Sequence, residues 1–212
     1  MENEAVRIIV LAMAWITYGA IHSLLAANAM RQRLTKRWPN LAPAYRLLYN
    51  GLAILLLAPP LALLYGYPGT AVIAWPEPIR WLLDGLALLA LAGFLWSLKF
   101  YDSEEFLGIK QWRSKTTESV TPEFVISPLH RYVRHPWYSF GLVLIWTRDM
   151  DSMMFTTALI LTAYFAIGSR LEERKLEQLH GELYRRYRQK VPGLIPRPWR
   201  YLGKEEARQL LS

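Results

Sequence analysis

The sequence predicts an all-α integral membrane protein: a helical bundle with three full spans, a helical hairpin and a cytoplasmic C-terminal helix. Three observations carry this. Hydrophobic residues make up 53% of the 212, gathered in runs that approach the ~20 needed to cross a ~30 Å hydrocarbon layer. The basic residues behind the net charge of +8 flank those runs and form no domain of their own. Anionic lipid headgroups are therefore the expected partner, and nucleic acid is not. Finally, the basic, aromatic stretch Leu129-His130-Arg131-Tyr132-Val133-Arg134-His135 runs straight into an apolar one, with Pro136 at the joint. Cysteine is absent, which removes disulfides, thiolate metal ligands and a cysteine nucleophile. The chain reads as one domain, 1–212, in which 1–127 form the scaffold and 128–212 the hairpin and a C-terminal lid.

The first span covers Val6 to Ala27. Glu2, Asn3 and Glu4 precede it and no basic n-region does, so it is expected to stay as a span. The loop after it carries Arg31, Arg33, Lys36, Arg37 and Arg46 without an acid, which places that loop in the cytoplasm and the N-terminus outside. The expected location is a bacterial inner membrane. Leu47 to Tyr65 form the second span, which Pro59-Pro60 should bend or interrupt. A nearly uncharged Pro/Gly/Trp loop leads to the third, Ile79 to Phe100, where Arg80 and Asp84 are spaced to pair on one face.

The polar stretch from Tyr101 to Ser127 is expected on the cytoplasmic side. Two apolar pieces follow, Trp137–Trp146 and Met153–Ile167, and the first is short for a crossing. They read as the arms of a tight hairpin, with Arg148 at its turn snorkelling or pairing with Asp149 or Asp151. Both ends of the hairpin then face the cytoplasm, which brings Arg134-His135 beside Gly168-Ser169-Arg170. From Arg170 a charged helix should run through Leu176, Leu179, Leu183 and Tyr187, spaced as one apolar face, and stop by Val191-Pro192-Gly193.

Proline at a first helical turn is favourable, because its missing N–H has no partner there in any case. Arg134-His135 is accordingly the mouth of a helix beginning near Pro136. The N–H groups and positive dipole end of that helix suit a carboxylate. Blander readings stand beside this one. Alone, His135 would be a helix-cap residue, Glu172-Glu173 a solvated ion-paired face, and Tyr184 and Tyr187 packing anchors. Haem is disfavoured, since His135 precedes proline and His22 has no partner at equal depth; no metal is expected.

Val133-Arg134-His135-Pro136-x-Tyr138, then Arg170-Leu171-Glu172-Glu173, Gly181-x-x-Tyr184-x-x-Tyr187 and Val191-Pro192-Gly193-Leu194-Ile195-Pro196 follow in order over roughly the last 80 residues. This pattern resembles the isoprenylcysteine carboxyl methyltransferase superfamily of small membrane methyltransferases. His22-Ser23-Leu24, Tyr45-Arg46-Leu47-Leu48-Tyr49-Asn50 and Glu105-Phe106-Leu107-Gly108-Ile109-Lys110-Gln111 resemble, more narrowly, the branch of methanethiol S-methyltransferases and denitrification-associated membrane proteins. The chain departs from the superfamily pattern at Phe140, where glycine is usual and Gly141 follows one later, and at His130, where many relatives carry tyrosine.

The resemblance implies S-adenosylmethionine as cofactor, bound between the hairpin mouth, Pro136 included, and the C-terminal helix. Glu172 or Glu173 suits its ammonium, while the helix mouth and His135 or Arg134 suit its carboxylate. Tyr138, Tyr184 and Tyr187 would flank the adenine or the sulfonium. The implied reaction is methyl transfer to a small or lipophilic nucleophile arriving from the bilayer, a thiol on branch resemblance. His130, His22 and Arg134 are the candidates for raising its thiolate fraction. Two other classes fit the same scaffold: a membrane reductase using a nicotinamide cofactor, and a non-enzymatic assembly factor.

Overall fold

The computed structural model describes residues 2–115 and 124–211. Among these, the chain folds almost entirely as helix: α1 (Glu2–Ala26), α2 (Asn28–Arg37), α3 (Tyr45–Gly66), α4 (Glu77–Ser97), α5 (Ser103–Leu107), α6 (Ile109–Ser114), α7 (Pro136–Trp146), α8 (Ser152–Lys190) and α9 (Lys204–Leu211). Among the described residues, four helical segments are long and apolar enough to cross a membrane, Asn3–Ala26, Tyr45–Gly66, Glu77–Phe100 and Ser152–Lys190. The all-α membrane bundle is thus observed. The expected lid helix continues the second hairpin arm, both lying within α8. The 11 residues of α7 rise only about 16 Å, so the two arms of the hairpin are unequal.

The chain divides into two compact units. One holds α1, α2, α3, α5, α6 and residues 152–160 of α8. Here α3 runs on through Pro59 and Pro60 without interruption, with Pro60 buried. Trp15 of α1 donates its indole N–H to Thr157 at 3.0 Å, a polar link for a buried ring. At one end of this unit, strand β1 (Ala71–Ile73) pairs antiparallel with β2 (Met150–Asp151), in the register Ala71 to Asp151 and Ile73 to Met150. The Glu4 carboxylate accepts from the Thr70 N–H and hydroxyl and from the Ser152 hydroxyl at 2.6–2.9 Å. Asp151 accepts from the N–H groups of Gly69 and Met154, capping α8.

The three branch motifs also meet inside this unit. Tyr49 and His22 Nε2 lie 2.8 Å apart, Tyr45 donates to the Leu25 carbonyl, and Asn50 donates to the carbonyls of Phe106 and Leu107. Gly108 (φ +89°) ends α5, and a Cβ there would lie 2.7 Å from Arg46 Cβ, so the turn needs glycine twice over.

The second unit holds α4, α7, residues 161–190 of α8, and α9. Trp146 donates to Thr162 at 2.9 Å, and Tyr138 stacks on Phe165, which sets the two hairpin arms antiparallel. Phe140, at the position where glycine was expected, is accommodated by Gly93 of α4: a Cβ at Gly93 would lie 2.8 Å from the Phe140 ring. Arg80 pairs with Asp149 at 3.3 Å and not with Asp84, because Asp149 is held at the hairpin turn by the Trp75 N–H. Both partners are largely exposed, so the pair contributes little.

The expected continuous tail helix is broken. Gly181 has φ +55° and ψ −126°, a combination open only to glycine, and α8 turns back on itself there. Arg188 donates to Glu177 at 2.9 Å, although eleven residues of straight helix would separate them by about 16 Å. Folding back buries Tyr184 and Tyr187 with Val191, Leu202 and Ala207, and it leaves Leu179 exposed.

Candidate active site

The site is built where the start of α7 meets the chain after α8. The Arg134 N–H donates to the Pro192 carbonyl at 2.8 Å and the His135 N–H to Gly193 at 3.1 Å. One turn further on, the Ser139 hydroxyl donates to the Leu194 carbonyl. Residues 192–194 thus form a strap along the first turn of α7. Gly193 permits the close approach, since a Cβ there would lie 3.2 Å from Arg134 Nη2 and 3.6 Å from a Glu173 oxygen.

Beneath the strap lies a network of charge. Glu173, 8% exposed, accepts from Arg134 Nε at 2.9 Å and Nη2 at 2.7 Å. Arg134 donates also to the carbonyls of Arg188 and Val191. His135 lies between two carboxylates, with Nε2 3.1 Å from Glu173 and Nδ1 3.5 Å from Glu172. Burial pulls this imidazole down, but Glu172 and Glu173 outweigh it, so its pKa is raised and the ring holds its proton further towards neutrality. His130 has the opposite setting. Burial, helped by the positive charge on His135, lowers it to about 4, and Ser127 is 2.7 Å from its Nδ1. The two imidazoles are thus pushed in opposite directions, His135 toward its charged form and His130 toward its neutral one. Adjacent residues of α8 also divide the acid: the Glu173 side chain is spent on Arg134, while that of Glu172 is 51% exposed.

Aromatic rings surround the network. Tyr138 is stacked between His135 (centroids 5.5 Å apart, 14° between planes) and Phe165 (5.1 Å, 6°). Tyr184 is 1% exposed, and its hydroxyl has no hydrogen-bond partner among the described residues. A buried polar group left in this way costs roughly 1–3 kcal/mol, so the site retains it against that penalty. The Tyr187 hydroxyl is committed to the His130 carbonyl at 2.6 Å, which makes Tyr187 a strut. Pro136 is buried at the first helical position.

The structure therefore brings together His130, Arg134, His135, Pro136, Tyr138, Glu172, Glu173, Tyr184 and Tyr187 within one unit. His22 lies in the other unit, on α1, among Tyr18 and Tyr49. Ser139, Phe165 and Arg188 (Nε 3.7 Å from Glu173) also belong to the site. Ser139 alone had a signal, being a small polar residue in an otherwise apolar helix.

These features define a class first: a helical integral membrane protein with a buried Arg–Glu–His network at the mouth of a short apolar helix. A Bradyrhizobium diazoefficiens methanethiol S-methyltransferase is 32% identical over 207 residues, covering 93% of this chain and 68% of the relative. The Mycobacterium tuberculosis methanethiol S-methyltransferase is 30% identical over 193 residues, 87% and 76% of the two chains. One from a Pseudomonas species is 36% identical over 118 residues, 53% of this chain and 43% of the relative. The chain belongs to the methanethiol S-methyltransferase family. It spans under half the length of the Pseudomonas relative and about two thirds to three quarters of the other two. No protein-family model and no solved structure matches it.

Proposed function

We propose that the protein methylates a small thiol with S-adenosylmethionine at the cytoplasmic face of the membrane, with its N-terminus outside and its C-terminus in the cytoplasm. Within this reading it shares the cofactor arrangement of the isoprenylcysteine carboxyl methyltransferases. The observation that carries it is the division of labour around His135, in a chain of this family. Glu173 is neutralised by Arg134, while Glu172 keeps a half-exposed carboxylate beside an imidazole whose pKa is raised by the two acids.

The donor set fits the cofactor's amino-acid end. His135 suits its carboxylate, and Glu172 suits its ammonium. The orphaned Tyr184 hydroxyl is a buried donor awaiting an acceptor, and Tyr138 offers a ring face. When bound, S-adenosylmethionine supplies an electrophilic methyl group on a sulfonium. The chain's own share is to hold the two reactants in line, for which good orientation supplies roughly 7–11 kcal/mol.

Magnitudes also decide how the thiol loses its proton. A thiol of ordinary pKa, about 8.5, would hand it to His130 at a cost of roughly 6 kcal/mol, given an imidazole at about 4. Taking the thiolate already present in water at pH 7 costs only about 2 kcal/mol. His130 therefore acts as a neutral hydrogen-bonding group and not as the base. Arg134, held by Glu173 and two carbonyls, positions the network and does not meet the acceptor.

The test is headspace detection of dimethyl sulfide from the purified full chain in nanodiscs, given methanethiol and S-adenosylmethionine, with calorimetric titration by S-adenosylhomocysteine alongside. Binding without thioether formation would overturn the choice of thiol. Absence of binding would overturn the whole reading.

A further inference from the structure

Residues 195–201 form an exposed apolar and basic surface that neither the charge network nor the core uses. Ile195 is 72% exposed and Trp199 77%, among the highest values for large apolar side chains in the protein. Tyr201, half exposed, stacks on Tyr132 with ring centroids 5.8 Å apart. Arg197, Arg200 and Lys204 are interspersed, and no acid occurs from Val191 to Lys204. Aromatic rings alternating with cations are what the headgroup layer of a bilayer selects, since each ring has an apolar body and a polar tip.

Packing within this unit gives the depth of the segment. The Trp137 indole, on the first turn of α7, donates to Ser97 at 2.8 Å and meets Phe94 edge-on at 5.4 Å. Ser97 lies at the end of the span Glu77–Phe100, where Lys99 sits over the Trp96 ring at 4.4 Å. The first turn of α7 is therefore level with a membrane boundary marked by its own cation–aromatic pair. The strap follows that turn in the same direction: Arg134 to Pro192, His135 to Gly193, Ser139 to Leu194. From His135 to Ser139 the helix rises about 6 Å, so the chain descends alongside α7 just before Ile195 emerges.

We infer that Ile195–Tyr201 seats in the headgroup layer of the bilayer, with Ile195 and Trp199 in its apolar margin and Arg197, Arg200 and Lys204 on anionic phospholipid headgroups. The membrane surface thereby becomes one wall of the strap that closes on His135 and Glu173. The occupant is lipid because the same unit is anchored by a membrane span whose end lies at this level, and because the segment's charge is wholly positive.

Spin labelling of this cysteine-free chain tests it without any cofactor, so the outcome is independent of the methyl-transfer reading. Trp199→Cys and, as a second site should the first disturb folding, Ile195→Cys would be labelled in the full chain. Each is reconstituted in phosphatidylcholine nanodiscs with and without phosphatidylglycerol, with Gln178→Cys as the exposed reference. The label at 199 or 195 is expected to collide at least threefold more with oxygen, relative to a water-soluble nickel chelate, than the label at 178. Phosphatidylglycerol should raise that ratio further, and high salt should reverse the increase. A ratio equal to that at 178 would overturn the membrane seat and leave the surface to a protein partner or to water. A ratio raised equally in both lipids would overturn the assignment of the three basic residues to anionic headgroups.

Discussion

Exchanging Glu173 for glutamine keeps the side chain's shape, removes its charge and turns one acceptor oxygen into an NH2 donor, which tests what the network depends on. In the wild-type protein one carboxylate oxygen serves Arg134 Nε at 2.9 Å, Arg134 Nη2 at 2.7 Å and His135 Nε2 at 3.1 Å, and both side chains of the Arg–Glu pair are about nine-tenths buried. Breaking a buried pair from one side costs about 3–5 kcal/mol, because it leaves the other charge without compensation. The glutamine oxygen still accepts one bond, so about 3 kcal/mol is expected for Glu173→Gln. Glu172→Gln, at a half-exposed position, should change stability by less than about 0.5 kcal/mol. For S-adenosylhomocysteine the expectation reverses in character. Glu172→Gln removes a charge-assisted bond to the ammonium and weakens binding by about 1.5–3 kcal/mol, roughly 10- to 150-fold, in a fully folded protein. Unfolding of the detergent-solubilised variants followed by tryptophan fluorescence, paired with calorimetric titration, separates the two effects. Small and equal losses for both variants would refute the division of roles. A Glu172→Gln protein that is less stable than Glu173→Gln would refute the burial argument beneath it.

Tyr184→Phe should leave stability unchanged or slightly improved, since it deletes a buried unsatisfied hydroxyl, yet weaken S-adenosylhomocysteine about tenfold; calorimetry and thermal unfolding on one sample check both. Cofactor affinity should fall as pH rises through the raised pKa of His135, because the protonated form is the one that binds a carboxylate; titrations across pH should show this dependence lost in His135→Gln. Methyl transfer at saturating cofactor should instead rise with pH toward the thiol's own pKa, with no acid limb from His130, whose ring is neutral above about pH 4. Gly181→Ala should cost about 1–3 kcal/mol and loosen the fold-back that joins Glu177 to Arg188, seen as faster proteolysis within residues 177–190.

Local and periodic features were legible in the sequence. Uninterrupted apolar runs of span length force helices, because in hydrocarbon every backbone group must be satisfied within its own segment. Pro136 marked the start of α7, and Glu172-Glu173 stood out as acids directly after a span. Gly181 was visible as a motif glycine but not as a bend, since a glycine does not reveal which sign of φ its surroundings select. The same limit hid the strap: that Pro192, Gly193 and Leu194 carry carbonyls for Arg134, His135 and Ser139 is a pairing between segments more than fifty residues apart. Helix spacing said that Arg80 and Asp84 share a face, but Asp149 took the arginine once the hairpin turn was in place. Glu172 and Glu173 stood as equal candidates in the sequence, and the place of Arg134 decides that Glu173 is the buried one. Charge states depend still more on the fold, for His130 and His135 are the same side chain five residues apart. One is held neutral because burial outweighs its partners, and the other is drawn toward its charged form because two carboxylates outweigh burial.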